Sequence, residues 1–147
     1  MPECTSNNLQ DCSQEALVNA YDNTITTTDA FLGGTIQWLK TQEDRYATAM
    51  VYVSDHGESL GENNLFLHGL PYSIAPDVQK HVPWVSWFSA AYTQRTGVGS
   101  ACLKGLRDRE ITHDHYFHSI LGLMDVQAAV YQPALDAYAS CAVARKP

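Results

Sequence analysis

The chain has 147 residues, 45% hydrophobic and 17% charged, an ordinary globular composition of about one domain's length. Sixteen acidic against nine basic residues give a net charge of -7, which makes the chain a poor candidate for duplex nucleic acid, because such binding rests on Lys and Arg neutralising phosphates. No apolar run approaches the roughly 18 residues of a membrane helix, and the opening Met1-Pro2-Glu3-Cys4 lacks the basic and apolar regions of a signal peptide. These residues by themselves are therefore expected neither to be exported nor to anchor.

The first expected element is a long helix over about residues 13–41. Leu17, Ala20, Tyr21, Ile25, Thr28, Phe31, Leu32, Ile36 and Leu39 recur at the three-and-four spacing of one buried helical face. Ser13, or Asp11 with Gln14, can cap its start. Gly33-Gly34 weakens it and allows a kink or break there.

Residues 46–53 follow, continuously apolar apart from Thr48. Such a run suits a strand buried on both faces, as in a parallel sheet covered by helices. It ends abruptly at Ser54-Asp55-His56-Gly57-Glu58, at the carboxyl edge where open α/β sheets bind ligands. Residues 57–72 read as a Gly- and Asn-rich loop. Residues 81–89 read as a second strand that Pro83 pushes toward an edge or bulge. A helix is expected over 113–124, and a last helical stretch over 126–138 interrupted by Pro133. Strands alternating with helices give the α/β class. Two or three strands are too few for a covered parallel sheet, so the fold is small and unusual or completed by strands outside this chain.

The four cysteines, Cys4, Cys12, Cys102 and Cys141, form no CxxC pair and no structural zinc spacing. An even count suits two disulfides in an oxidising compartment; four separate thiols in a reducing one remain open. By loop entropy a Cys4–Cys12 bridge would contribute about 2–3 kcal/mol and a Cys102–Cys141 bridge about 4.

The strongest local chemistry is Asp55-His56 at the strand end. A carboxylate and an imidazole suit Zn²⁺ or Mn²⁺. Gly57 permits the turn that lets both face one ion, and Glu58 can contact or brace it. A solvated Asp-His-Gly-Glu turn is the competing reading. His68, in a Gly-bearing loop that can fold back over the strand end, is either a second ligand or phosphate donor, or a histidine packed among Leu67, Leu70 and Tyr72. His81 reads as structural. His113, His115 and His118 read as a surface cluster near a helix start, although His115 and His118 share a face. Trp38, Trp84 and Trp87 read as packing residues. There is no Gly-x-Ser-x-Gly elbow, P-loop or dinucleotide fingerprint, and no cysteine begins the Cys-x-Pro-x-Arg pattern that sulfatases convert to a formylglycine nucleophile.

Residues 53–63, Val-Ser-Asp-His-Gly-Glu-Ser-Leu-Gly-Glu-Asn, followed by 67–72, Leu-His-Gly-Leu-Pro-Tyr, strongly resemble the lipid A phosphoethanolamine transferases, the EptA and mobile colistin-resistance type. Asn19 to Ile25, the Cys4/Cys12 pair, Ile74-Ala75-Pro76, residues 79–83 and Leu121-Gly122-Leu123 fit as well, so the resemblance covers almost the entire chain. It implies an α/β, alkaline-phosphatase/sulfatase-like fold, a parallel sheet flanked by helices. Residues 1–147 would be the C-terminal portion of that catalytic domain, without the N-terminal membrane domain and the first half of the catalytic domain. It implies a zinc enzyme at the periplasmic face of the inner membrane. That enzyme moves phosphoethanolamine from phosphatidylethanolamine to a lipid A phosphate through a threonine intermediate. Asp55 and His56 match two zinc ligands. His68 matches a histidine near the transferred phosphate or a further zinc, and Glu58 lies inside the motif. Cys4–Cys12 matches a family disulfide.

The resemblance also implies a lack. The nucleophilic threonine, a glutamate ligand and another histidine of the family have no counterpart here, and Thr24, Thr26, Thr27 and Thr28 fall on a different part of the family. The chain alone is therefore expected to be inactive and prone to aggregate along exposed strand edges. Two other readings compete: a different phosphotransferase or sulfatase of the same superfamily, and a non-catalytic metal-binding module that needs a complementing chain.

Overall fold

The computed structural model describes residues 3–143; Met1 and Pro2, where the signal-peptide reading began, lie outside them. The described chain is helices plus small sheets, the expected α/β class. In order these are α1 (Gln14–Lys40), β1 (Ala49–Val53), β2 (Ser59–Leu60), β3 (Phe66–Leu67), α2 (Asp77–Lys80), β4 (Trp84–Phe88), α3 (Ala90–Thr96), α4 (Ser100–Leu106) and α5 (Asp114–Leu123). Single 3-10 turns sit at Leu9–Asp11, Glu62–Asn64 and Pro133–Leu135. None of the described helices is long and apolar enough to cross a membrane.

The chain forms two compact units, the first to Leu39 plus Val51–Ser86, the second Lys40–Met50 plus the rest from Trp87. In the first, α1 starts where Ser13 Oγ accepts the Ala16 N–H at 3.2 Å, as its capping role predicts. The helix runs unbroken through Gly33-Gly34. Its threonines are tolerated because Thr24, Thr26, Thr27 and Thr35 turn their hydroxyls back onto carbonyls three or four residues earlier. A Cys4–Cys12 disulfide closes the loop before it.

Strand direction differs from the expectation of a parallel sheet. Ser54 N–H donates to the Pro83 carbonyl, and Ser89 N–H to the Thr48 carbonyl. Residue 54 thus faces 83 and 48 faces 89, so β1 and β4 run antiparallel. β2 and β3 are also antiparallel, Ser59 opposite Leu67 and Leu60 opposite Phe66. The apolar run of β1 suggested burial on both faces, yet every residue of the strand is only half-buried.

The second unit is organised by buried serines. Ser89 Oγ accepts from Tyr92 N–H at 3.2 Å, capping α3, and from Thr48 N–H at 3.1 Å. Ser119 Oγ, fully buried, accepts from Ala137 N–H at 2.9 Å. Tyr92 donates its hydroxyl to the Leu123 carbonyl at 2.6 Å and stacks on Phe88, while Tyr138 meets Phe88 edge-on. A Cys102–Cys141 disulfide ties α4 to the last described turn.

The helix expected over 126–138 is absent apart from the Pro133–Leu135 turn. Asp125 takes a positive φ of 57° just after α5, and side chains capture the following backbone. His118 Nδ1 accepts the Gln132 N–H at 3.1 Å, and Asp136 Oδ1 accepts the Tyr138 N–H at 2.8 Å. His118 is therefore a buried, bonded histidine, not part of a surface cluster. Trp38, expected in packing, is 61% exposed.

Candidate metal centre

The centre is built on the segment that leaves β1, wholly inside the first unit. Ser54 Oγ donates to the His56 carbonyl at 2.9 Å, and Asp55 Oδ1 accepts the His56 N–H at 3.1 Å, which together curl the chain as the strand ends. Gly57 N–H then donates to the Gln79 carbonyl at 3.0 Å. This approach is close enough that a Cβ on Gly57 would overlap the Val78 carbonyl oxygen, so the position requires glycine for space. Ser59, 1% exposed, accepts from Gln79 Nε2 at 2.8 Å and fixes the far side of the turn.

The β2–β3 hairpin returns the chain. Gly61, Asn63 and Asn64 supply three left-handed residues at its tip, the residue types that adopt that region most easily. Leu67 also has a positive φ, 61°. A branched side chain disfavours that geometry by about 1–3 kcal/mol. It is the residue just before His68, so the strain sits where the hairpin turns that imidazole inward.

The result is a cluster of His56, Glu58 and His68, each offering a ligand atom within 4.8 Å of the others. His68 Nδ1 lies 2.8 Å from Glu58 Oε1, and the two imidazoles stack with centroids 3.6 Å apart. His56 Nδ1 lies 3.0 Å from the Gly57 carbonyl. A carbonyl only accepts, so Nδ1 carries the proton and Nε2 keeps its lone pair, the arrangement that backbone carbonyls impose on metal-ligating histidines. The other carboxylate oxygen, Glu58 Oε2, is buried with no hydrogen-bond partner. A buried carboxylate oxygen without a donor is costly, and a cation beside it removes the cost. One carboxylate and two imidazoles form a donor set suited to Zn²⁺, so the residues present fit a metal.

Asp55 is not part of that cluster. Its side chain is 88% exposed, with Oδ2 3.7 Å from His56 Nε2, so it faces the same nitrogen from the solvent side. His81 is exposed and lines the cavity beside the centre, about 780 Å³ in volume, that runs between the Asp55–Leu60 segment and α1. Gln79 and Ser59 fall within the resembling runs, but the sequence assigns neither a role at the site. Nothing local marks them, because their role depends on a contact twenty residues apart.

The sulfatase family model matches residues 2–126. The phosphoethanolamine transferase EptA of Salmonella typhimurium is 50% identical over 141 residues, 95% of this chain and 26% of the relative. The phosphatidylethanolamine transferase Mcr-1 of Escherichia coli is 42% identical over 127 residues, 86% of this chain and 22% of the relative. Among solved structures, the soluble domain of lipooligosaccharide phosphoethanolamine transferase A from Neisseria meningitidis superposes with a TM-score of 0.92 at 43% identity, covering 98% of this chain and 43% of that chain. This chain therefore spans about a quarter of the length of the curated relatives it matches.

Proposed function

This chain belongs to the sulfatase family, among its phosphoethanolamine transferases, and we propose that it forms the C-terminal part of a catalytic domain that transfers phosphoethanolamine from phosphatidylethanolamine to a phosphate of lipid A. The observation that carries the reading is Glu58, a half-buried carboxylate with one buried, unpartnered oxygen, clustered with His56 and His68 on the segment that leaves β1. In this reading the resident metal is zinc, with Asp55 and His56 as ligands and Glu58 and His68 against the metal or the transferring phosphate. Bound zinc supplies Lewis-acid stabilisation of charge on phosphoryl oxygens. The chain's own residues do the rest. His56 presents a fixed tautomer, with its proton held at Nδ1 by the Gly57 carbonyl. Glu58 accepts from His68 Nδ1 and so orients that imidazole, leaving the lone pair of its other nitrogen for the metal.

The nucleophilic threonine belongs to a part of the domain that this chain does not supply. Thr24, Thr26 and Thr27 support that assignment, because each spends its hydroxyl on an α1 carbonyl. The whole enzyme works at the periplasmic face of the inner membrane, held there by a membrane domain outside these residues. A transferred ethanolamine ammonium offsets negative charge on lipid A, which weakens attraction for cationic polymyxins such as colistin.

The test is diacylglycerol release from phosphatidylethanolamine by the purified, oxidised chain with added zinc, beside Asp55→Ala and Thr28→Val controls. The expectation is zinc binding that Asp55→Ala weakens, without turnover in any sample. Zinc-dependent turnover abolished by Thr28→Val would mean that the chain carries its own nucleophile on α1, and the division of the domain proposed here would be wrong.

A further inference from the structure

The turn at Gly57 carries a loop as well as a metal centre. The chain leaves the cluster at His68 and comes back beside it at Gln79, whose carbonyl accepts the Gly57 N–H and whose side chain donates to Ser59. Both ends of the 68–79 loop are therefore fastened to the segment that bears His56 and Glu58. The loop lies wholly in the first unit. Its tip is a closed turn, in which the Pro71 carbonyl accepts the N–H groups of Ile74 and Ala75, each at 2.9 Å. Ala75 is buried and anchors the turn from within.

What the loop shows outward is apolar. Tyr72 is 78% exposed and Ile74 67%. Leu67 and Val78, also exposed, flank them and line the same cavity as Asp55, His56 and Glu58. No Asp, Glu, Lys or Arg occurs between Glu62 and Asp77, in a chain of net charge -7. The first cation after the tip, Lys80, holds its ammonium 5.2 Å from the centre of the Tyr72 ring and 3.3 Å from Asp77. Large exposed apolar side chains grouped on one loop mark an interaction site. An aromatic ring with a lysine folded against it is the pairing found where proteins meet the boundary between lipid and water.

The partner follows from the function proposed above, on which this inference rests. Donor and acceptor of the phosphoethanolamine group are both lipids. Acyl chains hold each in a bilayer, because every methylene drawn into water is costly, so the site must come to the headgroups. We propose that the 68–79 loop is the edge by which this site seats on a bilayer, with Tyr72 and Ile74 entering the headgroup layer and the metal centre standing over the lipid phosphates. Tyr72 is four residues from His68, so the two are at most about 14 Å apart. The headgroup layer is roughly 5–8 Å deep on each side of a bilayer. A tip seated in it leaves the centre at or just outside the level of the phosphates. The closed turn suits that place, because backbone amides that leave water need a partner. Asp77 neutralises Lys80, so the loop brings no net charge. Its contact is apolar, and zwitterionic lipid suffices.

The test measures co-flotation of the purified, oxidised chain with vesicles of phosphatidylcholine and phosphatidylethanolamine in equal parts. The chain is expected to partition onto them, and Tyr72→Asp and Ile74→Asp should each lower the partition coefficient about 10-fold. Both positions are exposed, and unchanged circular dichroism would confirm that the variants fold. Phe31→Asp, at an apolar residue of α1 that is 71% exposed, should leave partition unchanged. Raising the salt concentration should change it by less than about 2-fold. No partition, equal loss in all three variants, or a steep fall with salt overturns the proposal. So does self-association in place of partition, abolished by Tyr72→Asp and Ile74→Asp, which would make a second copy the occupant. Loop-dependent partition with zinc binding that Asp55→Ala leaves intact would sink the functional reading and leave the bilayer contact standing. Zinc binding weakened by Asp55→Ala, with partition that the loop variants leave unchanged, would do the reverse.

Discussion

Gly57→Ala tests how the centre is held together. The added methyl would overlap the Val78 carbonyl oxygen, which is backbone and cannot rotate away. Either residues 77–79 retreat or the turn between His56 and Glu58 shifts. Both movements break the Gly57–Gln79 hydrogen bond of 3.0 Å. Overpacking costs about 1–3 kcal/mol, and loss of one hydrogen bond about 1 kcal/mol. The sum is roughly 2–4 kcal/mol, which for a unit of this size lowers the melting temperature by at least about 8 °C. Because the turn separates His56 from Glu58, zinc affinity should fall about 10–100-fold, as it does when the support of a metal ligand is displaced. The assays are urea unfolding followed by tryptophan fluorescence and a zinc competition titration. An unchanged unfolding midpoint together with unchanged zinc affinity would refute the view that this backbone approach sets the geometry of the site.

Glu58→Gln keeps shape but removes charge, so zinc affinity measured by calorimetry should drop at least about 10-fold, with far-UV circular dichroism unchanged. Ser59→Ala leaves the buried Gln79 amide without its acceptor and should destabilise by about 1–3 kcal/mol; the double change with Gln79→Leu should recover most of that loss in chemical denaturation. The bridges differ in the loops they close, 39 residues for Cys102–Cys141 and 8 for Cys4–Cys12. Replacing Cys102 and Cys141 with serine should therefore cost about 4 kcal/mol and replacing Cys4 and Cys12 about 2.5, read as a larger drop in denaturation midpoint for the first pair.

The sequence announced α1 because its periodicity and its Ser13 cap are local signals, and the helix ends within a residue or two of the expected limits. β1 was legible as an apolar run, but its direction relative to β4 was not. Antiparallel pairing here depends on where residue 83 returns, which the pattern of one strand does not encode. The three residues that converge were all singled out, but with a different emphasis. Asp55 and His56 drew notice as neighbours at a strand end, whereas the structure gathers His56 with Glu58 and His68. That gathering follows from the positive φ values at Gly61, Asn63, Asn64 and Leu67. The Gly and Asn positions hint at a turn, but nothing in Leu67 does. The helix expected at 126–138 failed for a related reason: the carboxylate of Asp136 and the imidazole of His118 compete for backbone amides that the helix would need.

All three converging donors fall between positions 56 and 68. Donors this close along the chain need little loop closure to meet, so the entropy of bringing them together is small even in an unfolded molecule. A metal ion then has some affinity for the unfolded chain as well as for the folded one. By mass action, whatever binds both states stabilises the fold only by the difference. Zinc should therefore raise the melting temperature by less than its affinity for the native centre would give alone. Ligands contributed from distant parts of a polypeptide would escape this levelling, because only folding assembles them.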